Sequence, residues 1–410
     1  MSPFFVILDD MFKLIQRSHS KHLPQSHKKL IYALVFLFTL HATPAIYVTS
    51  TYLEQYIDSV YIGLLYAIAS AITVVIFIFY RKILTKFGNY KTLLALLYLT
   101  LGTLILLTLS SNPIIVIGAF IANFTFTALF FMNMDIFLES ETSDAEAGGT
   151  RGLYLTALNT AFVAGPLTSG YLLGDGQYWR VFGLGIIILS IVIVIAHFKL
   201  AYFKDKPYPK VALWSAFKKV VKERDVYFAL QCGFSLRVFY AWMIIYSPIY
   251  LSQSVGFSLE QTSYIIAVGL IPFVLLEAFL GKIADKKLGE KEILVAGMLI
   301  AGIASGVIFF LPQTPHMIFW MGVIFMTRVG ASMIEVMTET YIFKKIDSTD
   351  ISTLTFLRII RPIAYVIAPL LGSLIIYTLG IKWLFLILGI YLILASSYAL
   401  RLKDTLSEHS

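Results

Sequence analysis

Charge is what this sequence has least of. Only 14% of its 410 residues are Asp, Glu, Lys or Arg, while 58% are apolar and the mean hydropathy is +0.81. Soluble domains carry roughly 25% charged residues, so the deficit excludes an ordinary soluble domain. Cysteine is scarcer still. Cys232 is the single one, which rules out an intramolecular disulfide, and its place inside an apolar run reads as a small buried residue. No glycine-rich phosphate loop occurs, which argues against direct use of a nucleoside triphosphate. No metal-ligand spacing and no soluble-enzyme constellation is found. His19 and His22 read as solvated. The expectation is a non-enzyme with no cofactor and no metal.

What is there is apolar and long. Twelve runs are each long enough to span a bilayer. They fall at 30–52, 59–80, 91–110, 114–137, 151–173, 180–200, 226–251, 261–281, 291–311, 315–341, 351–377 and 381–401. The loops between them divide the basic residues unevenly. Of 32 Lys and Arg, 26 lie in the termini, the central connector and the loops on that side. Two lie in the opposite loops (Arg180 and Lys382), and four lie within spans. The positive-inside bias then puts both termini in the cytoplasm. The +8 net charge is explained by that bias, so no nucleic-acid partner is implied. Residues 1–29 read as a cytoplasmic segment with a short interfacial helix, because no small-residue cleavage site follows its apolar part.

The only long polar stretch is Lys199–Arg224. It carries eight basic residues, is broken by Pro207 and Pro209, and then presents Trp214, Phe217, Val220 and Val221. It reads as a connector on an anionic membrane face, part extended and part amphipathic helix; for its first half a solvated loop is the alternative. On either side the chain repeats itself. Ala161-Phe162-Val163-Ala164-Gly165-Pro166 is echoed 203 residues later by Ala364-Tyr365-Val366-Ile367-Ala368-Pro369. Two repeats with a site at their interface is a common transporter plan. The expected division is therefore 30–200, a linker at 201–225, 226–401 and a tail at 402–410.

The loops support the duplication. After the eighth span the chain reads Gly281-Lys282-Ile283-Ala284-Asp285-Lys286-Lys287-Leu288-Gly289, and after the second Arg81-Lys82-Ile83-Leu84-Thr85-Lys86-Phe87-Gly88. Gly281, Asp285, Lys286 and Gly289 resemble the loop signature of the major facilitator superfamily, with one extra residue between Asp285 and Gly289. The first-half copy has Arg81 where the glycine and Thr85 where the aspartate would stand. The resemblance covers nearly the whole chain. It implies an all-α polytopic fold, with twelve transmembrane helices in two pseudo-symmetric six-helix bundles. Ala161-x-x-x-Gly165-Pro166-x-x-Ser169-Gly170 is similar to the antiporter motif of drug-exporting members, though ordinary helix packing by small residues is an equal reading. The basic residue such exporters carry in the fourth span is missing from 114–134.

Ionisable groups inside a span are costly and are functional candidates. His41, Arg237 and Arg328 fall mid-span in the first, seventh and tenth spans, and the resemblance implies that these helices and the fourth line a central cavity. His41 titrates near neutral pH, or is held by a bond within the bundle. The arginines cannot release a proton, so each holds a substrate anion or a carboxylate partner. Arg328, Ser332, Glu335 and Glu339 share one helix face, as do Arg358 and Arg361. One hypothesis pairs Glu335 and Glu339 with Arg358 and Arg361, with Glu277 near by, as a gate that opens on protonation; a static ion-pair cluster is the alternative. Asp135 and Glu139 read as solvated helix ends. Asn123, Asn133, Gln231, Tyr240, Trp242 and Tyr246 are candidate cavity-lining groups for an organic solute.

The expectation is a monomeric plasma-membrane transporter of a small organic solute, coupled to protons, with efflux by antiport ahead of uptake. The alternatives are proton-coupled uptake of a sugar or organic anion, and a non-transporting sensor on the same fold.

Overall fold

The computed structural model describes residues 25–140, 147–174, 176–201, 213–283, 289–345 and 351–403. They form fourteen α-helices: α1 Gln25–Ile46, α2 Thr49–Leu53, α3 Ser59–Phe87, α4 Asn89–Leu109, α5 Pro113–Ser140, α6 Ala147–Leu173, α7 Tyr178–Lys199, α8 Leu213–Lys222, α9 Arg224–Ile249, α10 Leu259–Ile283, α11 Gly289–Val307, α12 Met317–Lys345, α13 Ile351–Leu379 and α14 Ile381–Leu400. Setting aside the short α2 and α8, the twelve long helices coincide with the twelve apolar runs. Eleven of them are long and apolar enough among the described residues to cross a membrane. The remaining one, α6, is 27 residues long and is diluted by glycine, threonine and asparagine. Helices are the form such runs must take, because lipid offers no partner for a free backbone N–H or C=O.

The helices overrun the expected span ends where the basic residues lie. α3 continues through Arg81, Lys82 and Lys86 to Phe87, because nothing in that segment breaks a helix until Gly88. Gly88 has φ +78° and Gly289 has φ +73°, a conformation that L side chains rarely adopt. The two glycines are 201 residues apart and each opens the next helix, so the turn is duplicated even where the signature residues beside it are not. Asn89 and Glu290, which follow them, are both buried.

Side-chain polarity is arranged inside out. Large apolar residues stand on the exterior, among them Leu109, Ile114 and Ile318, as a lipid-facing surface demands. Thr39, Thr43, Ser70, Thr100, Asn133 and Ser332 are buried inside. Within the first six long helices α1 packs on α6 and α7, and α4 on α5 and α7. Within the last six α11 packs on α12 and α14, and α9 on α12, α13 and α14. Two broad contacts join the sets, α3 with α13 and α6 with α10. Under the duplication the second span maps to the eighth and the eleventh to the fifth, so these two contacts are copies of each other. That exchange is the mark of a pseudo-twofold axis between the halves.

α8 is the helical part of the connector; residues 202–212 and the segment before residue 25 lie outside the described residues. Val220 and Ala216 are buried, with Val220 packed against Val226, Leu230 and Ile342. Trp214, Phe217 and Val221 face outward, with the Trp214 and Phe217 rings stacked. The apolar residues expected on one face therefore divide, because the helix has protein on one side and an uncovered apolar strip on the other.

Candidate functional site

The site is built where α9 meets α12 at mid-depth. Arg237 and Tyr240 are three residues apart on α9, and Glu335 and Glu339 four apart on α12, so each pair presents one helix face. The Arg237 guanidinium forks between the carboxylates: Nη1 lies 3.4 Å from Glu335 Oε1 and Nη2 3.6 Å from Glu339 Oε1. The Tyr240 hydroxyl donates to Glu335 Oε2 at 2.7 Å. Its ring carries the Arg237 guanidinium 5.7 Å from the centroid. Glu335 is thus held by two donors from one neighbouring helix. The Arg237, Glu335 and Glu339 side chains keep 20%, 24% and 43% exposure, so the cluster borders open space.

Arg328, seven residues before Glu335 on α12, is arranged differently. It is 2% exposed. Its Nε and Nη2 are buried with no hydrogen-bond partner among the described residues. Its guanidinium lies over the Phe239 ring, 5.1 Å from the centroid, and its electrostatic neighbours are the phenols of Tyr47, just past the end of α1, Tyr240 of α9 and Tyr365 of α13. Placing an arginine at the centre of a span costs roughly 2.5–3.5 kcal/mol on insertion scales. A cation–π contact offsets part of that, about 2 kcal/mol when desolvated.

The end of the bundle opposite the connector is sealed between the halves. A Cβ on Gly63 of α3 would sit 1.9 Å from the Tyr246 hydroxyl and 2.6 Å from both Pro369 O and Ser373 Oγ. Tyr246 donates to Pro369 O at 3.0 Å, and the Trp242 indole donates to Ala368 O. Residues 242 and 246, one turn apart on α9, thereby tie to consecutive carbonyls of α13. On the other flank Gly170 of α6 faces Ser263, Tyr264 and Glu260 of α10. Just beyond α2, Glu54 carries a buried Oε1 without a hydrogen-bond partner among the described residues. Burial, with Asp58 near by, raises its carboxyl to about 7.

Some expected residues gather here and others do not. Arg237, Tyr240, Glu335 and Glu339 converge, and Arg328 is one helix turn and more away from them. The carboxylates take Arg237 as their partner. The side chains of Arg358, Arg361 and Glu277, the surroundings of Gly281 and the whole of Asp285 lie outside the described residues. His41 is buried, bonded through Nδ1 to the Phe38 carbonyl and edge-on to the Phe38 ring. Asn123 donates to Thr103 Oγ1 at 2.9 Å, Asn133 donates to the Tyr80 hydroxyl, and Trp242 and Tyr246 are spent on α13. Gly165 and Ala161 face Thr43 of α1: Thr43 donates to Ala161 O at 3.1 Å, and a Cβ on Gly165 would come within 2.5 Å of Thr43 Cβ. The Ala161–Gly165 part of the antiporter-like motif therefore packs α6 on α1, while Gly170 faces α10, with Pro166 inside α6.

Tyr47, Phe239, Tyr365 and Gly63 were not singled out from the sequence. Tyr365 and Gly63 had a signal. Tyr365 stands in the quoted repeat, where the first copy has Phe162, and Gly63 is the one glycine in the second span. Tyr47 and Phe239 had none, since aromatics are plentiful throughout.

Twelve long helices, two duplicated halves and charged side chains at mid-span define a polytopic transporter. The Major Facilitator Superfamily model matches residues 30–357, and the chain belongs to that family. A search of curated proteins found no match. Among solved structures the chain resembles the nucleoside transporter NupG, with TM-score 0.72, 12% identity and coverage of 92% of this chain and 100% of that one. It also resembles a bacterial homologue of the human lysosomal transporter Spinster, solved inward-facing and unoccupied, with TM-score 0.69, 15% identity and coverage of 93% and 97%. At these identities the likeness is one of fold.

Proposed function

We propose that the chain is a monomeric, proton-coupled secondary transporter that moves a small organic solute by alternating access. Its halves, 30–200 and 226–401, rock about their interface, and both termini and the connector lie at the cytoplasmic face of the plasma membrane. One observation carries the coupling: Glu335, at mid-depth and next to open space, shares Arg237 with Glu339 and accepts from Tyr240. Protonation of Glu335 cancels the charge that holds Arg237 to it, leaves Arg237 to Glu339 alone and loosens α9 from α12. The two-way pull on Arg237 is the element a proton biases.

The uneven split of Lys and Arg supports the orientation. The contacts at Gly63 and Gly170 support a phase of the cycle closed on the far side, so that the pathway opens toward the connector. Direction rests on two features. The antiporter-like motif favours export, but its role in packing α6 on α1 serves either direction. The unpaired Arg328 favours uptake of an anion together with a proton.

The test is solute flux in vesicles under an imposed pH gradient, after a thermal-shift screen of drugs, sugars, amino acids and organic acids has picked the solute. Wild-type protein accumulates solute, and Glu335→Gln loses accumulation while retaining downhill exchange. Unchanged accumulation in Glu335→Gln removes that residue from coupling. Binding without flux in either protein replaces transport with a sensor on a transporter fold.

A further inference from the structure

We propose that Arg328 is the recognition site for an oxyanion, so that the solute is an organic acid whose carboxylate or phosphoryl group docks on the Nε–Nη2 edge of this guanidinium. The proposal rests on the transport reading for its consequence, but not for its geometry. Arg237 and Arg328 are both mid-span arginines on neighbouring helices, and among the described residues only Arg237 has carboxylate partners. The two orphaned nitrogens of Arg328, Nε and Nη2, form the side of the guanidinium whose N–H bonds run parallel. That is the fork that grips two oxygens of a carboxylate or phosphate at once. A static structural arginine would have that fork filled, because a buried unpaired charge is costly.

The surroundings fit an acid with an apolar or aromatic body. Phe239 covers the guanidinium face, and three phenols, Tyr47 just past the end of α1 and Tyr240 and Tyr365 on α9 and α13, lie within electrostatic reach of it. Those helices come from both halves, so rocking exposes the fork in one phase and closes Tyr47 over it in another. Charge balance links the solute to the proton. Arg237 and Arg328 against Glu335 and Glu339 sum to zero when all are ionised. A monoanion arriving with one proton on Glu335 leaves that sum unchanged, so anion and proton travel together.

The experiment measures binding of three probes to full-length protein by thermal shift and titration calorimetry: benzoate, phenyl phosphate and benzyl alcohol. Benzoate or phenyl phosphate stabilises the wild type and benzyl alcohol does not; which of the two binds tells a carboxylate site from a phosphoryl site. Arg328→Lys weakens binding at least tenfold and Arg328→Met abolishes it, while Arg328→Met without ligand melts no lower than wild type because the charge it removes was unpaired. Anion binding that persists in Arg328→Met, or wild-type protein that binds neither acid, overturns the assignment. So does an Arg328→Met protein that melts well below wild type, which would mean that Arg328 serves as a structural counter-ion. Flux of a neutral solute with no acid binding refutes the anion site and leaves the transporter standing. Acid binding at Arg328 without flux of any probe keeps the site and refutes transport.

Discussion

Two arginines on neighbouring helices at similar depth have opposite surroundings. Arg237 is clamped between two carboxylates and a phenol ring, at the edge of open space. Arg328 is sealed in, over a phenylalanine, with two nitrogens that have no hydrogen-bond partner among the described residues. The residue type and the cost of placing it in a membrane are the same. The difference is in what each can respond to. The proposed coupling assigns the proton to the guanidinium paired with carboxylates and the anion to the one with an empty fork. A transporter that couples the two needs both kinds, and adjacency on α9 and α12 lets one report to the other.

Removing the clamp has the largest expected effect. Arg237→Met leaves Glu335 and Glu339 facing each other, and breaking a buried pair costs about 3–5 kcal/mol. The partial exposure of this cluster puts the loss toward the lower end, read as a reduced melting temperature in detergent. Glu335→Gln comes next. It should leave melting within a degree or two but abolish pH-driven accumulation, which sharpens the contrast because Arg237 keeps Glu339. At the far end, Gly63→Leu drives a side chain into Tyr246 and Pro369 O. It should raise the labelling of a cysteine placed at Gln55 and slow transport by a factor of ten or more; unchanged labelling would mean that the end yields elsewhere.

The smallest effect is one of pH. Glu54 sits outside the spans with its carboxyl raised to about 7, above its unfolded value. Its protonated form is the one that favours the fold. Its contribution is complete below the usual carboxylate range and is lost as pH climbs through 7. Melting temperature should fall over that window in wild type, and the slope should flatten in Glu54→Gln.

Much of the architecture was legible because lipid leaves the backbone few choices. Twelve apolar runs became twelve helices, and the repeat around Pro166 and Pro369 identified helices α6 and α13, each of which contacts the opposite half. Mid-span charge pointed to His41, Arg237 and Arg328, and the shared helix face on the tenth span to Glu335 and Glu339. Helix rotation did not show in the sequence. Glu335 and Glu339 were expected against Arg358 and Arg361, whose side chains lie outside the described residues; the rotation of α9 that turns Arg237 and Tyr240 toward Glu335 gave no signal. The aromatic lining was equally hidden, since Trp242 and Tyr246, chosen as cavity residues, are bonded to the carbonyls of α13 while Tyr47 and Tyr365 are electrostatic neighbours of Arg328. The loop signature misled in one respect: Arg81 and Thr85 depart from it, but Gly88 keeps the backbone turn that Gly289 makes in the second half.

The movement of the halves is tested most directly by the distance between spin labels on cysteines introduced at Gln55 and Ser258, both exposed at the far end, with the buried Cys232 replaced by alanine. Alternating access predicts two distances whose populations exchange between acid and neutral pH, with Glu335→Gln locked to the acid distribution. A single distance, unmoved by pH and by benzoate or phenyl phosphate, would contradict it.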